Sequence, residues 1–312
     1  MKPKCADRSR RPKYLINGIR NSWQLYLLIL PVVIYFFVFS YMPMYGVQIA
    51  FRNYKVKFGI TGSEWVGLAH FQKFFKSYYF ERLLANTFLL NVLGLVFAFP
   101  IPIILAIFLN RIRNERCRRF IQTSIYAPHF ISTMVLVGML YIFLSPTAGI
   151  LNVMLKAFGG KAVDFMSSAD AFRPIYIISG IWQSSGYGSI LYIATLTGID
   201  PSLYEAAEID GASIWQKIRY IDIPALIPTA IMVFILDCGK LLNSNTAKVL
   251  AMQTAGNKPV SDIIGTYVYS VGLGTGQFSY TSAIGLFINL INFVIIMSMN
   301  TLAKKVSDTS IF

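Results

Sequence analysis

The sequence predicts an all-α, polytopic membrane protein with six transmembrane helices, on three observations. Of its 312 residues 55% are hydrophobic and only 13% charged, far from the balance of a soluble domain. The apolar residues fall in long runs separated by basic or turn-rich stretches. The Lys and Arg that produce the net charge of +14 cluster beside those runs, where they meet anionic headgroups and set topology. That clustering argues against nucleic acid as a partner and for a lipid bilayer. Cys5, Cys117 and Cys238 have no CxxC spacing, and neither His70 nor His129 has a second ligand at metal spacing, so no metal site or disulfide frame follows.

Residues 1–24 carry seven basic side chains (Lys2, Lys4, Arg8, Arg10, Arg11, Lys13, Arg20) against Asp7. No small-residue cleavage site follows, so they read as a retained cytoplasmic segment. The membrane domain then covers 25–302. Span one is 25–45, uncharged and long enough for the ~20 residues a bilayer requires, with Pro31 and Pro43 as kink points. Residues 46–86 read as an outer loop whose HFQKFFKSYYF stretch forms a helix lying on the membrane surface or on the protein. Span two is 87–109. The loop 110–119 holds five arginines and faces the cytoplasm. Span three, 120–144, contains Ala-Pro-His at 127–129, where Pro128 frees backbone groups and predicts a kink.

A second outer segment leads to span four, 175–197, interrupted by the polar stretch WQSSGYG. A charged stretch, 200–226, follows on the inner side. Span five is 227–242, and a third outer loop, 243–281, contains a surface helix at VSDIIGTYVYSVG. Span six is 282–302, and 303–312 is a cytoplasmic tail. With both ends inside, 16 Lys and Arg lie inside, 11 outside, and Lys240 falls within span five.

The stretch 200–226 is the most informative. Asp200 can cap a helix whose first position is Pro201, Gly211 suits the left-handed residue that ends it, and Ser213 with Gln216 forms a capping box for a second helix that Pro224 stops. Five acidic residues against Lys217 and Arg219 make it unsuited to an anionic membrane. A protein partner is the better fit: Ala206 and Ala207 leave one face small enough to enter a groove, and Glu205 offers a carboxylate to a basic residue.

Its spacing supplies a family. Glu205-Ala206-Ala207, three residues including Asp210, Gly211, nine residues, then Ile221-Asp222-Ile223-Pro224 resembles the EAA loop of bacterial binding-protein-dependent ABC importers, with Ile223 in place of the usual Leu. Trp182-Gln183, Gly186-Tyr187, Tyr192-Ile193-Ala194 and Ile199-Asp200-Pro201 resemble the carbohydrate-uptake, maltose-permease-like branch, and within it the LplB-like group associated with plant or algal polysaccharide fragments. Where those relatives often carry Gly-Phe-Glu after span five, this chain has Asn245-Thr246-Ala247, preceded by an unusual Leu-Asp-Cys-Gly-Lys.

The resemblance implies a type I ABC importer permease fold in a bacterial cytoplasmic membrane. It implies pairing with a second permease, a cytoplasmic ATPase dimer and an extracytoplasmic sugar-binding protein, with an oligosaccharide, neutral or acidic, as cargo. Glu205, Ala206, Ala207, Asp210, Gly211, Ile221 and Pro224 would dock on the ATPase and move the inner halves of spans three to five. ATP and Mg would sit on that partner: no GxxxxGK[ST] loop occurs here and no bound cofactor is expected, so the chain is a transport subunit and not an enzyme.

A sugar path needs hydrogen-bonding groups and aromatic faces, which selects Trp182, Gln183, Ser185 and Tyr187 in span four, Asn91 in span two, and Asn289 and Asn292 in span six. Such residues also serve simply to bond neighbouring helices or line the interface. Asp237 and Lys240 suit a self-satisfying pair or the path itself, and His129 suits helix packing. An ion-gradient-driven secondary transporter or channel would share the spans but have no use for the EAA-type stretch. A membrane enzyme would need a catalytic pair, and Asp237 is the only carboxylate within the spans.

Overall fold

The computed structural model describes residues 22–306. The basic N-terminal cluster through Arg20 and most of the tail lie outside them. The chain divides into two compact units, the first ending at His70 and the second beginning at Phe71.

In the first unit, helix α1 (Trp23–Phe36) continues through a π turn (Phe37–Tyr41) and a 3-10 segment (Met42–Phe51). Together they form one apolar helix, Trp23–Phe51, of 29 residues, long and apolar enough to cross a bilayer. A helix was expected here, but the hairpin that follows was not. Strand β1 (Arg52–Lys55) pairs antiparallel with β2 (Gly59–Trp65), with Arg52 opposite Trp65. Arg52 caps two carbonyls, Thr61 at 3.0 Å and Ser63 at 2.8 Å, while Phe51 and Trp65 stack at 5.6 Å.

The chain enters the second unit in α2 (Ala69–Phe75), whose Phe74 is buried among Leu83, Tyr280 and Ile284. The HFQKFFKSYYF stretch thus lies on protein. Next come α3 (Phe80–Ala98) and α4 (Pro100–Arg111), consecutive pieces of one long apolar helix. Asn114 caps α5 (Glu115–Tyr126) by accepting from the amides of Arg116 and Cys117. A 3-10 turn (Ala127–Phe130) then leads to α6 (Thr133–Phe143), which is bent 99° from the preceding piece. Pro128 does break the third apolar run, as expected, and Ser132 restarts it by accepting from the Val135 amide.

After α7 (Ile150–Ala157), helix α8 (Ala169–Thr197) runs unbroken through WQSSGYG. The expected interruption is absent: Gln183 within the stretch, and Ser179 and Ser189 on either side of it, are satisfied by backbone carbonyls. Ser179 donates to the Ile175 carbonyl at 2.5 Å, Ser189 to that of Gly186 at 2.6 Å, and Gln183 to that of Ile131 at 2.8 Å. Gly186 also lets α8 touch α5 closely: a Cβ there would strike the backbone carbonyl of Ile125.

Two short helices follow, α9 (Pro201–Ile209) and α10 (Ile214–Lys217), then a π turn (Ile218–Asp222) and α11 (Ile223–Cys238). Pro224 was expected to stop the second helix. Instead it occupies the first turn of α11, where its missing N–H is harmless, and the wider π turn keeps residues 214–238 one continuous helix. This helix ends four residues before the expected end of span five.

Helices α12 (Thr246–Met252), α13 (Lys258–Ser261) and α14 (Ile264–Thr275) precede the last, α15 (Phe278–Val306). The stretch read as a surface helix is anchored in the core. Ile263 and Ile264 are fully buried, the Ile264 amide donates to Thr87 Oγ1 at 2.9 Å, and Arg82 pairs with Asp262 at 2.9 Å.

Among the described residues four helices are long and apolar enough to cross a membrane, or five if the pieces on either side of the 99° bend form one span. Ala169–Thr197 has the length but not the apolarity, because Arg173, Gln183 and the run of Ser and Gly residues dilute it.

Candidate functional site

Two features of the second unit are built for more than packing. The first is a cavity of about 810 Å³ between α3, α8 and the end of α11, lined also by Asn243, Asn245 and Lys248. Four of the residues selected from sequence, Asn91, Gln183, Ser185 and Tyr187, line it. Two already hold the frame: Asn91 donates to the Thr87 carbonyl at 2.9 Å and to Ser244 Oγ at 2.8 Å, and Gln183 to the carbonyl freed at the bend. Tyr187 lies flat on His129, centroids 4.0 Å apart, which gives His129 the packing role expected of it. Trp182, Asn289 and Asn292 are not among the cavity's lining residues. Trp182 and Asn289 face outward, and buried Asn292 accepts from the Leu242 amide at 3.2 Å.

Asp237 and Lys240 both line the cavity, but no ion pair joins them among the described residues. Helix α11 ends at Cys238, so the backbone turns between them and the expected helical spacing is lost. Lys248, which sequence reasoning did not single out, is 3% exposed. It reaches the cavity wall by donating to the Tyr176 carbonyl at 3.0 Å, its ammonium 4.7 Å from the centre of the Tyr176 ring. Burial without a carboxylate partner pushes its pKa down to about 8. The available signal was a lone charge in the helical stretch TAKVLAM.

The second feature is the helical pair 201–217, shaped as its residues dictate. Asp200 Oδ1 accepts from the Ser202 amide at 2.9 Å, which holds its carboxyl below the usual range. Pro201 opens α9, and Gly211 closes it at φ +71°, with the Ala212 amide bonded back to the Ala207 carbonyl at 2.8 Å. The Ser213–Gln216 capping box is present in both directions. Lys217 spans the bend to Glu208 at 2.7 Å and holds that carboxyl low.

The pair is seated by contacts the sequence did not reveal. Fully buried Asp222 receives Arg111, the last residue of α4, on one oxygen and the Tyr204 hydroxyl at 2.5 Å on the other. Burial, with the Asp222 bond second, raises the Tyr204 phenol to about 12. Arg111 and Asp222 are too far apart in sequence for any spacing rule to join them.

Seating one side of the pair exposes the other. Glu205 and Ala206 are exposed, and so are Ile209 (88%), Trp215 (75%), Tyr220 (69%) and Ile214 (64%). Ala207 and Ile221 are half-buried, and Asp210, Gly211 and Pro224 are exposed. Large apolar side chains around a small-residue face form a surface suited to a protein partner.

A helical membrane chain with a mostly apolar cavity between several helices that carries a few polar groups, and a seated but outward-facing helical pair, has the parts of a membrane transport subunit. The match extends to a known family. The chain belongs to the binding-protein-dependent transport system inner membrane component family, whose model matches residues 98–308.

It is 40% identical over 305 residues (98% of this chain, 95% of the relative) to the polygalacturonan/rhamnogalacturonan transport system permease protein YteP of Bacillus subtilis. It is 41% identical over 293 residues (94% and 92%) to protein LplB of the same organism. A crystal structure of a bacterial ABC transporter involved in the import of the acidic polysaccharide alginate contains a chain 35% identical, with a TM-score of 0.87 over 94% of this chain and 99% of that one. The chain is accordingly an ABC transporter permease, a transport subunit and not an enzyme.

Proposed function

We propose that this chain is one membrane subunit of an ATP-driven importer that carries an acidic oligosaccharide handed over by an extracytoplasmic binding protein. It works beside a second permease and a cytoplasmic ATPase dimer that holds the nucleotide and its metal. The observation that carries this reading is the seated helical pair: Asp222, Arg111 and Tyr204 fix it to the membrane helices while Glu205, Ala206, Ile209 and Trp215 face out. ATPase closure would push on this surface. The six-pass arrangement, with 1–24 and 303–312 on the inner side, belongs to the same proposal.

For the cargo, the cavity's hydroxyl and amide groups and the Tyr176 and Tyr187 rings suit sugar hydroxyls and sugar faces. A relative's polygalacturonan and rhamnogalacturonan, and the alginate of the related importer, make uronic acids the substrate class to test.

The test is uptake of trigalacturonate by proteoliposomes containing both permeases and the ATPase, supplied with the binding protein. Uptake is expected to require ATP, and the ATPase is expected to co-purify with this chain. Uptake that follows an ion gradient after ATP depletion, with no co-purifying ATPase, would overturn the proposal.

A further inference from the structure

We infer that Lys248 is the carboxylate-recognition point of the cavity, the residue through which the chain distinguishes uronic-acid saccharides from neutral ones. The inference rests on the oligosaccharide reading above and adds a residue and a chemistry to it.

A buried ammonium costs free energy unless partners replace its water. Lys248 is 3% exposed, yet its contacts among the described residues are one carbonyl, that of Tyr176, and the face of the Tyr176 ring. An ammonium has three N–H donors, so the contacts present do not saturate it. No carboxylate pairs with it among the described residues. The carboxylate lining the cavity, Asp237, lies in the field of Lys240.

Position supports the same role. Gly180 lies beside the ammonium, with a Cβ there only 3.4 Å from Nζ, so residue 180 presents bare backbone and puts no side chain over the charge on that side. Lys248 lines the same cavity as Ser185 and Tyr187. A saccharide carboxylate arriving there would form charge-assisted hydrogen bonds in a low-dielectric wall, the setting in which they are strongest. A neutral sugar would leave the ammonium as it is.

The test is binding of trigalacturonate and of its carboxyl-reduced, neutral counterpart to the assembled importer without its binding protein, followed by saturation-transfer NMR. The wild type is expected to favour trigalacturonate by roughly tenfold or more. Lys248→Met should erase that preference while leaving affinity for the neutral sugar unchanged, and Lys248→Arg should keep it. Gly180→Asp, which sets a carboxylate beside an intact lysine, should erase it as well and carries the test if Lys248→Met does not assemble.

Retained preference in Lys248→Met, or in Gly180→Asp when Lys248→Met does not assemble, overturns the assignment alone. So does an equal loss for both sugars, which would mark a structural lysine. No preference in the wild type overturns the acidic-cargo reading and this inference with it.

Discussion

The bend at Gly211 is a steric argument with a number attached. Its φ is +71°, and a Cβ built there meets nothing within 4 Å. The cost of adding a Cβ is therefore backbone strain and not collision. An L-residue in the left-handed region costs about 1–2 kcal/mol, a β-branched one towards ~3 kcal/mol, and Asn less than either because it tolerates that region. At about 1.4 kcal/mol per decade, Gly211→Ala should lower the population of the bent pair by roughly 5- to 30-fold and Gly211→Val by up to about 150-fold relative to the unbent alternative.

The assay is ATP hydrolysis by the reconstituted importer with and without loaded binding protein. Stimulation should fall in the order Gly, Asn, Ala, Val, while unstimulated hydrolysis by the ATPase persists. Equal coupling in the Val and Ala variants, or a Val variant that couples like the wild type, would refute the steric reasoning.

Other perturbations address the seating, the packing and the cavity. Asp222→Ala leaves Arg111 and the Tyr204 hydroxyl facing an empty buried site and should cost about 3 kcal/mol, seen as a lower unfolding temperature. Adding Arg111→Met should recover part of that loss, and strict additivity would speak against the contact. Gly186→Ala forces α8 off the Ile125 carbonyl and should cost ~1–3 kcal/mol by overpacking, read as reduced thermal stability of the purified complex.

For pH the sign follows from a lysine lowered by burial. The Lys248 charge is complete below about pH 8 and lost above it, so trigalacturonate affinity should fall as pH rises from 7 to 9 while the neutral sugar is unaffected. The other ionisable side chains lining the cavity are Asp237, Lys240, Tyr176, Tyr187 and Tyr192, and the carboxyl-reduced sugar controls for any effect of theirs.

Local devices were legible from the sequence because their cause is local. Asp200, Pro201, Gly211, Ser213 and Gln216 each act within a few residues, and each performs its expected backbone role. Features set by tertiary context were not legible. Pro224 has the credentials of a helix breaker, and only the π turn before it shows why the helix continues. The WQSSGYG stretch reads as a break because its polar groups have no visible partner in sequence; the Ile131 carbonyl, freed at the bend before α6, supplies one to Gln183. The β1–β2 hairpin was hidden in a stretch read for amphipathic helices. Of the residues chosen for the cavity, Asn91 on α3 and Gln183, Ser185 and Tyr187 on α8 line it, while Trp182 on α8 and both asparagines on α15 do not. Polarity in an apolar run marks a residue as interesting, but the direction in which it faces depends on helix rotation, which no spacing encodes.

The uninterrupted helix 214–238 has a mechanical consequence. Trp215 and Tyr220, near one end, stand in the exposed surface, and Val233 and Asp237, near the other, stand in the cavity wall. Twenty-five residues at about 1.5 Å each make a rod of roughly 37 Å. Had Pro224 broken it, force applied at one end would dissipate in a flexible joint. As it stands, the Arg111–Asp222 contact lies a third of the way along and can serve as a fulcrum. A tilt of about 10° displaces one tip against the other by roughly 6 Å, on the order of a sugar ring's width. The cavity wall and the exposed surface are then opposite arms of one lever.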